Sequence, residues 1–99
     1  MSAYIIATIK IHDPVEYKNY IRGFRAMFGG YKGEVLVVEE APQVLEGEWD
    51  YPRTAIIHFE DEAEAKRWYE SPEYKAAAQH RFTSATNNLI LAKGISYAG

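Results

Sequence analysis

The most apolar segments of this chain are short and carry apolar residues on both of their faces. Successive side chains of a β-strand point to opposite sides, so a strand with one solvated face alternates cleanly between apolar and polar residues. In residues 3–12 the odd positions are all apolar, while the even positions begin apolar and are polar from Thr8 to His12. Residues 35–38, 55–59 and 89–92 are similarly two-faced. These segments predict four strands of a sheet in which both faces need cover.

A helix is predicted between the first two strands. Asp13, Pro14 and Glu16 stand at the positions of an N-cap, a first helical residue and a capping-box partner. Apolar residues then recur at helical spacing as far as Phe28, and Gly29 marks the end of the helix.

Two more helices are expected after the third strand. Asp61, with Glu64 three residues later, predicts a helix start, and Ser71 followed by Pro72 predicts that this helix ends and another begins. Residues 87–88 are expected to lead into the final strand. The expected buried stripe of the last helix consists of Tyr74, Ala77, Ala78, Arg81, Phe82 and Ala85.

The order of these elements is typical of a ferredoxin-like α+β domain with βαββαβ topology, an antiparallel sheet with its helices on one face. We assign residues 1–95 to this single domain, residues 96–99 to a short tail, and residues 44–49 to an extended arm before the third strand. The helices leave the other sheet face bare. A homodimer in which two sheets pack face to face would cover it.

Composition narrows the classes of protein to which the chain can belong. Its 99 residues fit one domain, and its net charge of −3 with scattered Lys and Arg argues against nucleic-acid binding. The absence of cysteine excludes disulfides, thiolate metal sites and thiol nucleophiles. No segment approaches the roughly 20 apolar residues of a membrane span. We therefore expect a cytoplasmic protein with no membrane partner and no cofactor.

The chain contains the segments Ala3-Tyr4-Ile5-Ile6, Asp13-Pro14 with Tyr17 and Tyr20, Leu45-Glu46-Gly47 with Trp49, and Trp68-Tyr69 with Ser71-Pro72 and Tyr74. Together these segments closely resemble the domain of unknown function family 1330. The resemblance extends from about residue 3 to residue 95 and implies a dimeric α/β barrel. The superfamily with that architecture also holds cofactor-free monooxygenases, small-ring isomerases and stress-response barrel proteins. The resemblance implies no established activity. Its most specific parts are Leu45-Glu46-Gly47 with Trp49, and Trp68-Tyr69 with Ser71-Pro72 and Tyr74.

Arg81 is the most unusual candidate for a ligand-binding residue, because it falls on the apolar stripe of the third helix. Its planar guanidinium fork suits a carboxylate ligand. The interpretation that the sequence favours is more ordinary, namely an internal ion pair with Glu46 or another acid, or a side chain whose stem reaches solvent.

Glu46 and Arg53 flank the turn around Trp49. Against apolar neighbours the pKa of Glu46 would rise, and its carboxylate could act as a catalytic base, with Arg53 as a ligand-binding residue. The alternative, which we favour, is that the two side chains form an ion pair with each other or across a dimer interface.

His58 is the second candidate for proton transfer, because histidine titrates near neutral pH. Strand alternation places it on the face opposite Ile57 and Phe59. A hydrogen-bonded packing residue is the more ordinary interpretation. His12 and His80 do not stand at ligand spacing to it, so no metal site is expected.

The aromatic residues of the predicted helices suggest a pocket between helices and sheet. Tyr17, Tyr69 and Tyr74 are candidates for binding a ligand there, with core packing as the alternative, whereas Tyr20 and Trp68 are expected to be core residues. Two functions remain open. The protein binds or transforms a small anionic or aromatic metabolite without a cofactor, or it is a non-catalytic dimeric binding or structural module.

Overall fold

The computed structural model describes residues 1–95, so the tail predicted for residues 96–99 lies outside the described residues. The chain order of the elements is β1 (Ala3–Ile11), α1 (Pro14–Phe28), β2 (Gly33–Glu39), β3 (Arg53–Phe59), α2 (Glu62–Tyr69), α3 (Pro72–Ser84) and β4 (Ala85–Lys93). The four strands form one antiparallel sheet in the order β2-β3-β1-β4. This arrangement confirms the predicted ferredoxin-like α+β fold.

Side-chain caps set the helix starts where the sequence predicts them. The Asp13 side chain accepts hydrogen bonds from the backbone N–H groups of Val15 and Glu16, each at 3.1 Å. The Glu16 carboxylate does not close the expected capping box but pairs with His80 on α3. The Ser71 hydroxyl accepts from the backbone N–H of Tyr74 at 3.1 Å, which separates α3 from α2.

Two predicted segments differ from the structure. Residues 40–52, which include the predicted arm, contain no strand, because their exposed backbone does not pair with another strand. The backbone of the arm includes Gly47 at a positive φ of 78°. The last strand begins directly at Ala85, where α3 ends, so Asn87 and Asn88 lie inside β4 instead of leading into it.

The helices cover the face of the sheet that the odd positions of β1 predict. The buried residues of this face include Ala3, Ile5, Ala7, Ile9, Ile57 and Phe59. The opposite face carries side chains that no helix covers, among them Ile6, Ile56 and Ile90, of which Ile90 is 56 % exposed. No helix within residues 1–95 has the length and apolar character that crossing a membrane requires.

One extra residue interrupts the alternation of β2. Val35 pairs with Ile57 and Val37 pairs with Ile56, so Leu36 is the additional residue of a β-bulge. Beyond the bulge, Val38 pairs with Ala55. Val35 and Val38, which are three positions apart, therefore both lie on the helical side of the sheet.

Helix α1 packs closely on α3 but stands away from the sheet. A Cβ atom added at Gly23 would lie 2.9 Å from the Cβ of Ala77, so the absence of a side chain allows this close approach. The large aromatic side chains of α1 then occupy part of the space between α1 and the strands. The remaining space forms a cavity.

Candidate functional site

The cavity between α1 and the sheet has a volume of about 640 Å³, within the range of small-molecule sites. Aliphatic side chains of the strands form one wall. The facing wall is aromatic and includes Tyr17, Tyr20, Phe24, Phe28 and Trp68. Consecutive rings along α1 lie in contact, with centroids 5.4 Å apart for Tyr17 and Tyr20 and 4.7 Å apart for Phe24 and Phe28. An apolar slot of this kind suits a flat molecule.

The charged residues that line the cavity all carry the same sign. Arg25, Arg53 and Arg81 are part of its lining, and within residues 1–95 no Asp or Glu is. In a chain with a net charge of −3, this makes the cavity a local concentration of positive charge.

Arg81 is the deepest of these charges, with only 1 % of its surface exposed. Its Nη1 donates to the side-chain oxygen of Asn87, and its Nη2 donates to the hydroxyl of Tyr74 at 3.3 Å. Both partners are neutral, and among the described residues its Nε has no hydrogen-bond partner. The ion pair with Glu46 or another acid is not formed, and the stem does not reach solvent. The interpretation that the sequence favoured is therefore wrong.

Tyr20 and Tyr74 extend the polar group around Arg81. Their hydroxyls share a hydrogen bond of 3.0 Å, and the Arg81 guanidinium lies 5.5 Å from the centroid of the Tyr20 ring. Burial and the neighbouring Tyr74 hold the pKa of Tyr20 well above its usual range. Tyr20 thus remains a protonated phenol at neutral pH. It packs against both core clusters, as we expected, and it also lines the cavity.

Arg53 and Tyr17 form a second polar group in the lining. Arg53 Nε donates to the Tyr17 hydroxyl at 3.2 Å, and Arg53 Nη1 pairs with the carboxylate of Glu40. Arg53 therefore has an acidic partner, but it is Glu40 and not the expected Glu46. Burial raises the pKa of Tyr17 in spite of the opposing effect of Arg53.

The remaining sequence candidates lie outside the lining of the cavity. His58 is on the opposite sheet face, as alternation predicts, where it hydrogen bonds to the Ser2 hydroxyl at 2.8 Å and packs on Tyr4. Glu46 is exposed on the arm. Tyr69 is 41 % exposed and packs against the Tyr74 ring. The structure thus places Arg81, Arg53 and Tyr17 in the lining, with Tyr74 hydrogen bonded to Arg81 outside it. It places His58, Glu46 and Tyr69 elsewhere.

Sequence inspection missed Asn87 and Glu40 as partners of the two arginines. Asn87 lies six residues after Arg81, but this spacing does not predict the contact, because the contact depends on how α3 passes into β4. The pairing of Glu40 with Arg53 has no sequence signal either, because it depends on the bulge in β2. Two hydrogen-bonded phenols beside an unneutralised guanidinium can bind and stabilise an organic anion.

In sequence, no curated protein matches the chain. In structure, it is similar to a protein of unknown function from Rhodopseudomonas palustris, with a TM-score of 0.76 and 19% identity over 96% of this chain and 83% of that one. It is similar to a dimeric ferredoxin-like protein of unknown function from Jannaschia sp. CCS1, with a TM-score of 0.69 and 10% identity over 95% of this chain and 100% of that one.

A third similar structure has a stated activity. It is SnoaB, a cofactor-independent oxygenase from Streptomyces nogalater, with a TM-score of 0.63 and 15% identity over 98% of this chain and 96% of that one. These likenesses concern the fold. In sequence, the family model for the domain of unknown function DUF1330 matches residues 2–95, and the chain belongs to that family.

Proposed function

We propose that this protein binds a small anionic aromatic molecule in the cavity between α1 and the sheet. The observation that carries the proposal is Arg81, a guanidinium with 1 % exposure that lines the cavity and whose hydrogen-bond partners within residues 1–95 are all neutral. A buried charge without a counterion lowers the stability of a fold. An acidic ligand would supply the missing counterion, and the aromatic wall would hold its ring.

The ligand anion is expected to lie against Arg81, with Tyr20 and Tyr74 near it. Because the raised pKa of Tyr20 keeps its phenol protonated, this side chain can donate a hydrogen bond to the anion but cannot remove a proton from it. His58 and Glu46, our candidates for proton transfer, lie outside the cavity lining. This arrangement favours binding over acid–base catalysis.

A second candidate function is oxidation of the bound molecule by O₂ without a cofactor. Its support is the similarity in fold to a cofactor-independent oxygenase, together with a site that stabilises an organic anion. An electron-rich anion is the form of a substrate that can itself reduce O₂. Consumption of O₂ with 1,4-dihydroxy-2-naphthoate, faster with the wild type than with Arg81→Met, would support this candidate. Equal rates would count against it.

We also propose that the protein is a homodimer in which the helix-free sheet faces pack together. The apolar side chains on that face, including Ile6, Ile56 and Ile90, support this assembly. The similar ferredoxin-like protein from Jannaschia is described as dimeric. The cavity lies on the opposite side of the sheet and would stay open in such a dimer. Sedimentation of a folded monomer at micromolar concentration would contradict the assembly.

Calorimetric titration with benzoate and 2-naphthoate tests the binding proposal. Arg81→Met is expected to weaken binding by about 10-fold to 100-fold, the usual effect of losing a charged hydrogen bond. Arg81→Lys should lose part of the affinity, since lysine keeps the charge without the planar fork. Arg22→Met removes an exposed arginine of α1 and is the matched control. Equal affinity in the wild type and a folded Arg81→Met variant would disprove the proposal.

A further inference from the structure

Arg53 occupies a second place in the cavity where an anion can bind. It begins β3, pairs with Ile9 of β1, and directs its side chain to the helical side of the sheet. Its Nε is held by the Tyr17 hydroxyl at 3.2 Å, and its guanidinium lies 5.2 Å from the centroid of that ring. The side chain is only 14 % exposed. Arg53 is therefore fixed in position within the lining.

The acidic partner of Arg53 comes from outside the lining. Glu40 follows β2 at the start of the arm, and its side chain is 65 % exposed. An exposed carboxylate gains little from an ion pair, because it is well solvated whether the pair is formed or broken. Glu40 can return to water at small cost. The Arg53 fork, with Nη1 released, would then present donors to a ligand in the cavity.

The two arginines lie along the same aromatic wall. The Arg53 guanidinium lies near the Tyr17 ring and the Arg81 guanidinium near the Tyr20 ring, and these neighbouring rings have centroids 5.4 Å apart. A flat ligand that packs on these two rings therefore has a cation close to each ring. One acidic group would neutralise Arg81 and leave Arg53 with Glu40.

From this arrangement we infer that the ligand is an aromatic molecule with two acidic groups, one at Arg81 and the other at Arg53 in exchange for Glu40. The inference rests on the proposed function, since it assumes that the anion of the ligand lies at Arg81. It adds a ligand class and a second subsite. It also gives Glu40 the role of an internal competitor for that subsite.

Matched mono- and dicarboxylates test the second subsite in the full-length protein. The probes are benzoate with terephthalate, and 2-naphthoate with 2,6-naphthalenedicarboxylate, titrated calorimetrically at one ionic strength. In the wild type, at least one of the two dicarboxylates is expected to bind more tightly than the monocarboxylate with the same ring. Glu40→Gln should strengthen dicarboxylate binding further, by about threefold or more, because the competing carboxylate no longer occupies Arg53. Monocarboxylate affinity should not change.

Glu39→Gln is the matched control, because this neighbouring exposed glutamate pairs with Thr54 in the ladder and faces the other side of the sheet. It should leave both affinities unchanged. Arg53→Gln should remove the advantage of the dicarboxylates over the monocarboxylates. Both glutamate positions are exposed, so their variants are expected to fold.

Each result separates the second subsite from the proposed function. If monocarboxylates depend on Arg81 while the second carboxylate adds nothing and Glu40→Gln has no effect, the subsite is disproved and the proposed function stands. If Glu40→Gln strengthens mono- and dicarboxylates equally, the single anion lies at Arg53 and the two-site assignment is overturned. If monocarboxylate binding is insensitive to Arg81→Met, or no probe binds the wild type, both proposals fail.

Discussion

Two arginines of the helical layer have opposite electrostatic surroundings. Arg67 on α2 has a side chain that is 57 % exposed, yet its Nε and Nη2 each donate to a carboxylate oxygen of Glu64 at 2.8 Å. Glu64 also accepts from the backbone N–H of Lys32 at 2.7 Å. Arg81 on α3 is almost fully buried, and its hydrogen-bond partners in the described part of the chain are the neutral side chains of Asn87 and Tyr74.

The difference is the reverse of what stability alone would favour. A solvated guanidinium needs no counterion, and a buried one does. The Glu64–Arg67 pair ties the loop before β2 to α2, since it also holds the backbone of Lys32. The incomplete surroundings of Arg81 face a cavity. We therefore assign the first group to folding and the second to ligand binding, and four predictions test that assignment.

The largest expected effect comes from giving Arg81 a counterion of its own. Asn87→Asp places a carboxylate where the Arg81 Nη1 now donates to an amide oxygen. We expect the melting temperature to rise and the affinity for 2-naphthoate to fall by about 100-fold, because the ligand anion no longer neutralises a free charge. Differential scanning calorimetry and titration calorimetry measure the two effects.

Gln79→Glu is the control for Asn87→Asp, since it adds the same charge at an exposed position of α3. It should change the affinity only slightly. An Asn87→Asp variant that binds the probe as tightly as the wild type would show that Arg81 is not the anion site.

The next effect separates stability from binding at the other arginine. Glu64→Gln removes the carboxylate that Arg67 and Lys32 share, and we expect a loss of about 2 kcal/mol in the free energy of unfolding. The affinity for the probe should not change. Urea denaturation measures the loss, and Glu62→Gln, which breaks an exposed pair with Lys66 on the same helix, should cost much less. Equal losses in the two variants would contradict the assignment.

Lowering the pH should gradually remove the stabilisation that the Glu64 carboxylate provides. The hydrogen bonds from Arg67 and from the backbone of Lys32 lower the pKa of Glu64 from 4.5 to about 2. Because the folded-state pKa is lowered, the contribution is complete above pH 4.5 and is lost as the pH falls toward 2. The difference in unfolding free energy between the wild type and Glu64→Gln should therefore shrink between pH 5 and pH 3. A difference in unfolding free energy that stays constant over this pH range would contradict the assignment of Glu64 to folding stability.

The smallest expected effect concerns the phenol beside Arg81. Tyr74→Phe removes the hydroxyl that accepts from Arg81 Nη2 and contacts Tyr20. We expect a loss of about 1 kcal/mol in unfolding free energy, measured in urea, because the rest of the ring still packs on Trp68. Tyr69→Phe alters an exposed phenol of the same cluster and should have no measurable effect.

The fold was predictable because its determinants are local. Alternation in residues 3–11 identifies the buried face of β1, and the caps at Asp13, Asp61 and Ser71 set the helix starts. The arm was predicted with an extended piece at residues 44–49, where the structure has none, because its exposed backbone has no pairing partner to stabilise a strand.

The candidate site was predictable only in part. The apolar stripe of α3 singles out Arg81 as a charge that should be buried, and this holds. The identity of its partners depends on how α3 meets β4, which no periodicity reports. Arg53 pairs with Glu40 and not with the predicted Glu46 for a similar reason, since tertiary contacts decide which of several glutamates reaches a given arginine.

The bulge at Leu36 affects which carboxylate pairs with Arg53. Simple alternation from Val35 would turn Glu39 toward the helices, but the bulge shifts the count by one, and Glu40 reaches Arg53 instead. The number of residues that follow Val37 in this edge strand, more than the chemistry of position 36, thus selects the carboxylate that reaches Arg53. Deleting Leu36 would remove the bulge but leave this number unchanged, so Glu40 should still reach Arg53. A residue inserted after Val38 should instead turn Glu40 to the other face of the sheet.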